Sequence, residues 1–179
     1  MDSTNSVNDS APEQHVLDVA HLLDVLESEL RAEIAKRRLD EPVMIGIQTG
    51  GAWVAERLHE RLGLSEELGL LNISFYRDDF SQLGVHPRVG PSRLPFRVEG
   101  RNVLLIDDVL YTGRTIRAAL NEIFDYGRPA QVLLGTLIER NGRQIPVQAD
   151  CIGGRVRLEY GRRIKLIGPD PLRLEIHDV

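Results

Sequence analysis

The chain has 179 residues, 42% of them hydrophobic and 27% charged, with a formal net charge of −5. That length suits one ordinary domain with a real core, and the composition is neither fibrous nor disordered. An acidic balance argues against a surface built throughout for nucleic acid, and no apolar run approaches the ~20 residues that span a bilayer.

Residues 1–10 are polar, rich in Ser, Asn and Asp, and read as a flexible tail ahead of a single domain over 11–179. They hold no basic stretch followed by an apolar one, so no secretory signal is read and the cytosol is the expected compartment. Ser10-Ala-Pro-Glu13 has the form of a capping box. Val16, Val19, Leu23, Leu26, Leu30 and Ile34 then step by three or four, which predicts a long amphipathic helix. After Pro42 the apolar, β-branched run 43–47 reads as a strand buried on both faces, and it breaks at Gln48-Thr-Gly-Gly51. A second helix is expected from Ala52 to about Leu62, with Gly63 in the C-terminal glycine position. Trp53 on this helix reads as core or interface.

Residues 70–76 form a second strand candidate. Residues 77–100 hold three prolines, three glycines and no clean period, the mark of a functional or mobile loop. Residues 103–106 are a third buried strand. Ile116, Ala119, Leu120, Ile123 and Phe124 recur at helical spacing up to Gly127, and residues 131–138 are a fourth strand. Short strand-like pieces follow at 155–160, 164–167 and 172–176. Gly161-Arg-Arg-Ile-Lys165 reads as a solvated strand edge. Cys151 is the only cysteine, so it forms no intrachain disulfide and reads as a buried free thiol. The five histidines show no metal-ligand spacing, so no protein-held metal is expected.

Alternating strands and helices predict a mainly parallel α/β sheet covered on both faces. The C-terminal ends of its strands share one edge, where ligands bind in such folds. Three motifs fall there: Gln48 to Gly51, Arg77 to Asp79, and Asp107 to Thr115.

The last carries the most chemistry. A buried strand delivers Asp107 and Asp108 into a loop that ends in Thr112-Gly113-Arg114-Thr115, directly before a helix. A helix N-terminus offers N–H donors and partial positive charge, so it suits an anion. Gly113 lets backbone approach a phosphate, and the Thr112 and Thr115 hydroxyls add donors. Carboxylates repel phosphate, so the aspartates suit neighbouring hydroxyls, a cation, or a carbon gaining positive charge. A sugar phosphate meets all of these demands. No Gly-Lys-Ser/Thr marks a nucleotide P-loop, and no Gly-x-Gly-x-x-Gly marks a dinucleotide site.

Val103-Leu-Leu-Ile-Asp-Asp-Val-Leu-Tyr-Thr-Gly-Arg-Thr115 resembles the phosphoribosyl pyrophosphate motif of the type I phosphoribosyltransferases. Its ending is similar to that of the pyrimidine operon attenuator/uracil phosphoribosyltransferase family. The resemblance continues in Ile45-Gly-Ile-Gln-Thr-Gly-Gly51, Tyr76-Arg-Asp-Asp79, the segment 137–146 and Ala149-Asp150. It implies a mainly parallel five-stranded sheet with helices on both faces and a small hood, here over about 139–179. It implies transfer of ribosyl phosphate from phosphoribosyl pyrophosphate to uracil, giving UMP and pyrophosphate, with Mg²⁺ accompanying the substrate. By motif, Asp107 and Asp108 would hold the ribose hydroxyls. Val109, Leu110, Tyr111, Thr112, Gly113, Arg114 and Thr115 would hold the 5′-phosphate. Thr49, Gly50 and Gly51 would form the pyrophosphate loop. Arg77, with Asp78 and Asp79, would approach the pyrophosphate as the loop closes, and Arg140 would lie near the base.

Two positions depart from the pattern of better-known members. Gly50 stands where they carry an arginine, and Arg140-Asn-Gly-Arg143 stands where they read Arg-Gly-His-Arg. The same chain is also read as a candidate pyrimidine-responsive regulator. The alternatives are a nucleotide-sensing RNA-binding regulator with little or no catalysis, with Arg162, Arg163 and Lys165 as first contacts, and a transferase for another base. Self-association is expected from the long apolar stripe of the first helix.

Overall fold

The computed structural model describes residues 18–73 and 91–179. Helix α1 is Val19–Arg37. It begins at Asp18, whose backbone is extended and whose carboxylate accepts the His21 N–H at 3.2 Å, so Asp18 is its N-cap. This corrects a single helix running in from Ser10; the Ser10–Glu13 box and Val16 lie outside the described residues. Leu22, Leu23, Leu26 and Leu30 are buried, while Glu27–Arg31 and Glu33–Arg37 ion pairs run along the outer face.

Strand β1, Val43–Ile47, is buried at all five positions. Helix α2, Gly50–Leu62, starts two residues before Ala52 and closes at Gly63 with φ 64°. Strand β2 is the short Gly69–Leu71, and residues 74–76 of the expected strand lie outside the described set. The chain returns through an antiparallel bridge between Leu70 and Arg93, and the Asn72 N–H donates to Ser92 Oγ at 2.8 Å. Ser92 Oγ in turn donates to the Glu122 carboxylate. Strand β3 is Asn102–Leu110, helix α3 is Arg114–Tyr126, strand β4 is Gln131–Arg140 and strand β5 is Cys151–Val156.

These five strands form one parallel sheet in the order β2-β1-β3-β4-β5. Helices α1 and α2 cover one face through Leu26, Leu30, Val54 and Leu58, packed on Met44, Leu104, Ile106 and Leu133. Helix α3 covers the other through Ile116, Ala119 and Ile123, packed on Ile45, Leu105 and Leu134, with Phe96 and Val98 beside them. Phe124, expected on that face, is 56% exposed. It lies eight residues after Ile116, rotated by about 80° from it at 100° per residue, off the edge of the stripe. Strands β6, Arg162–Ile167, and β7, Arg173–Asp178, make an antiparallel ribbon whose Ile164, Leu166 and Leu174 join the α1–α2 core. Trp53 packs on that same core, with Gly168 against its ring, as expected of a core residue.

The fifth strand is the main correction to the expected elements. It spans Cys151–Val156 and not 155–160, because Gly153-Gly154 reads locally as a break. A Cβ on Gly153 would lie 2.6 Å from the Leu137 carbonyl oxygen and 2.7 Å from that of Leu22. The glycines are there because α1 crosses directly over β5.

Cys151 opens this strand, fully buried, and burial pushes its thiol up to about 12. The thiol is therefore inert in the folded protein. We expect no alkylation by iodoacetamide at pH 8 until the chain is unfolded; labelling at the rate of a free thiol would contradict the burial. Because the folded-state value is raised, the proton it retains stabilises the fold fully below about 9. That contribution is lost as pH climbs toward about 12.

Candidate ribose-phosphate site

Strands β1 and β3 are parallel neighbours, so the turn after β1 and the loop after β3 leave the sheet side by side. Asp107 is 2% exposed, and its Oδ1 accepts the Asp108 N–H at 3.0 Å. Asp108 is half-buried beside it. The Gln48–Thr49 peptide is cis, and Thr49 is the N-cap of α2. A Cβ built on Gly50 would lie 2.2 Å from Asp108 Oδ2. One on Gly51 would lie 2.8 Å from the Ile106 carbonyl oxygen and 2.9 Å from Asp107 Cα. The glycine pair and the acid pair, far apart in sequence, are thus in direct contact.

The loop after the acid pair turns into α3. Val109 and Leu110 pack into the cores on opposite faces of the sheet, and Leu110 also lines the cavity beside the loop. Thr112 is buried, and its Oγ1 accepts the Arg114 N–H at 3.2 Å. Gly113, with φ 92°, is the N-cap of α3, a left-handed position that suits glycine. The Thr112 carbonyl accepts the N–H groups of Gln144 and Ile145 at 3.0 and 3.2 Å. The Arg114 guanidinium donates twice to Gln144 Oε1, at 3.2 and 2.9 Å. Residues 144–147 therefore brace this turn from behind, with Ile145 and Val147 against Gly113. An anion cradle at a helix N-terminus, two carboxylates at the preceding strand end and a glycine turn against them suit a phosphorylated sugar.

Comparison with known proteins agrees with that geometry: residues 20–159 match the phosphoribosyl transferase domain. The chain belongs to the phosphoribosyl transferase family. Within it, the chain is 53% identical over 167 residues to the "Bifunctional protein PyrR" of Nitrosococcus oceani, covering 92% of this chain and 94% of that one. It is 54% identical over 156 residues to the protein of the same name from Pseudomonas aeruginosa, covering 87% and 92%. These identities place it in the PyrR branch of the type I phosphoribosyltransferases. The fold also matches a hypoxanthine phosphoribosyltransferase from Staphylococcus aureus, with a TM-score of 0.62 and 23% identity over 87% of this chain and 85% of that one. A hypoxanthine-guanine phosphoribosyltransferase from Bacillus anthracis matches with a TM-score of 0.62 and 17% identity over 78% and 81%.

Beside the loop after β3, this phosphoribosyltransferase has a cavity of about 550 Å³ at the ends of β3, β4 and β5. Its wall includes Tyr111, Glu139, Arg140, Arg143, Arg155 and Arg157. Tyr111 is 40% exposed, with the Arg140 guanidinium 4.0 Å from its ring centroid, a cation–π stack. A Cβ on Gly142, at φ 117°, would strike that ring at 2.4 Å, so the glycine in Arg140-Asn-Gly-Arg143 makes room for the stack. Arg140 also donates to the Arg162 carbonyl at 3.0 Å, and Arg155 pairs with Glu139 at 2.8 Å. Sequence reasoning singled out neither Arg155 nor Arg157, which alternate with half-buried Val156 and buried Leu158 and both line the cavity.

Arg77, Asp78 and Asp79 lie outside the described residues. Among the described residues, no three His, Cys, Asp or Glu side chains gather to hold a metal, and no helix is long and apolar enough to cross a membrane.

Proposed function

We propose that this phosphoribosyltransferase transfers the ribosyl phosphate of phosphoribosyl pyrophosphate to N1 of uracil, giving UMP and pyrophosphate. The observation that carries the reading is the contact of Asp107-Asp108 with the Gly50-Gly51 turn on one side and the α3 N-terminus beyond them. The 5′-phosphate sits on the backbone of 109–115 with the Thr112 and Thr115 hydroxyls. Asp107 and Asp108 take the ribose hydroxyls and face the anomeric carbon as it gains positive charge. Fixed negative charge there stabilises the transition state without reorganising. Thr49, Gly50 and Gly51, at the start of α2, receive the pyrophosphate, and by motif Arg77 with Asp78 and Asp79 serves the same group. Arg140 orients the base against Tyr111.

Two adjacent carboxylates fit Mg²⁺, a hard cation commonly held by one or two carboxylates together with substrate phosphates. When bound, the ion neutralises charge on the departing pyrophosphate. The ion would arrive with phosphoribosyl pyrophosphate, and Asp107 and Asp108 are the described carboxylates that it would approach. Base choice is tested by pyrophosphate release with Mg²⁺ and a panel of free bases. Release with uracil and not with hypoxanthine or guanine is expected; preference for a purine would move the substrate and keep the site.

The arginine-walled cavity favours a second activity on the same chain, regulation of pyrimidine synthesis through RNA binding. The relatives carry the word "bifunctional" in their names. The Arg162-Arg163-Lys165 edge is the weaker candidate, because Arg162 faces Asp178 and Lys165 faces Glu175 across the ribbon. Arg143 and Arg157 make the cleaner test. Replacing both by alanine is expected to weaken RNA binding and lower the salt-dependence slope by roughly two, one per phosphate contact. An unchanged slope would remove the cavity from the interface. Self-association needs a surface other than the α1 stripe, which is spent on the sheet.

A further inference from the structure

We infer that Gly50 is a positioning residue for Asp108: its missing side chain is the space in which the Asp108 carboxylate sits. The inference rests on the role proposed above for Asp108. A Cβ on Gly50 would lie 2.2 Å from Asp108 Oδ2, 2.6 Å from Cγ and 3.2 Å from Cβ. Contacts this short force something to shift, and in this chain's arrangement the nearest atoms are the end of the Asp108 side chain. Gly50 is also the first residue of α2, which puts the carboxylate beside the positive end of that helix. On the other flank the Asp108 backbone is tied to Asp107 Oδ1 at 3.0 Å. Asp108 is therefore set between a fixed neighbour in its own strand and the bare Cα of a residue on another element.

The two glycines of the turn differ in what stands in the way. At Gly51 the obstacles include the backbone of Ile106 and Asp107, which cannot step aside. At Gly50 the nearest obstacle is the end of a side chain, which can rotate away at small cost to the fold. The backbone at Gly50 is outside the left-handed region, so alanine is not excluded there by conformation. An alanine at 50 should then spare stability and harm chemistry, since moving a catalytic group by about 1 Å can cost roughly 100-fold.

The test is a double-mutant cycle of Gly50→Ala and Asp108→Asn, with phosphoribosyl pyrophosphate and uracil as substrates. We expect Gly50→Ala to keep the melting temperature and to lower kcat roughly 10- to 100-fold. In the Asp108→Asn background most of that loss should disappear, because the part that acts through the carboxylate is already gone and only the part that acts through the pyrophosphate turn remains. Wild-type kcat in Gly50→Ala, or losses that multiply in full, would overturn the inference while leaving the site assignment standing. An Asp108→Asn variant with normal turnover would sink the site assignment, and the inference with it. Should Gly50→Ala not fold, Gly50→Ala with Asp108→Ala removes the obstacle and restores folding; failure to restore it counts against the contact.

Discussion

Changing Asp107 and Asp108 together to asparagine lowers turnover by several orders of magnitude and leaves the fold intact. Folding survives because asparagine is isosteric: residue 107 keeps an Oδ1 to accept the Asp108 N–H, and Asp108 is only half-buried. Chemistry fails because two negative charges vanish from the place where the anomeric carbon becomes positive. Losing one preorganised electrostatic contact costs roughly 10²–10³ in kcat, and two are lost here. The check is kcat with phosphoribosyl pyrophosphate and uracil, alongside a thermal melt. A double variant with normal kcat would remove the acid pair from the reaction.

The second large effect concerns stability. Gly153→Ala places a methyl group 2.6 Å from the Leu137 carbonyl oxygen and 2.7 Å from the Leu22 carbonyl oxygen. Both are backbone atoms of hydrogen-bonded elements, β4 and α1, so neither can rotate aside. Relief requires lifting α1 from the sheet across Leu22, Leu26 and Leu30, which are buried in that contact. Overpacking of this kind costs roughly 1–3 kcal/mol, and rigid obstacles on both sides point to the upper end. For a domain of this size the melting temperature should fall by about 6–12 °C. Gly154→Ala is the control, since its closest obstacle is a Leu22 side-chain methyl. Equal losses in the two variants would contradict the account of why β5 carries glycines.

What the sequence disclosed and what it hid divide along one line. The acid pair, the Thr-Gly-Arg-Thr turn and the helix behind it are consecutive, and their meaning rests on local rules: a buried strand, a left-handed glycine, a helix N-terminus. The parallel sheet was legible because β1, β3 and β4 are apolar runs separated by helical periodicity. Strand β5 was not, because Gly153 and Gly154 answer to a helix that comes more than a hundred residues earlier. Phe124 misled for a related reason, since the stripe on α3 is narrower than its apolar residues. The start of α1 at Asp18 turned on a side-chain cap that competes with an equally good capping signal upstream. At the site, Gly50 read only as a departure from an arginine. In the structure a Cβ there would meet the Asp108 carboxylate. Nothing local could join Tyr111, Arg140, Gly142 and Arg157, which come from the ends of three strands and the connections beside them.

The measurement that bears most directly on the central claim is conversion of labelled uracil to UMP with phosphoribosyl pyrophosphate and Mg²⁺, followed together with pyrophosphate. The account predicts UMP and pyrophosphate in equal amounts, dependent on all three additions and lost in Asp107→Asn with Asp108→Asn. Binding of phosphoribosyl pyrophosphate without any UMP would contradict it, and would leave a chain that has kept the site without the transfer.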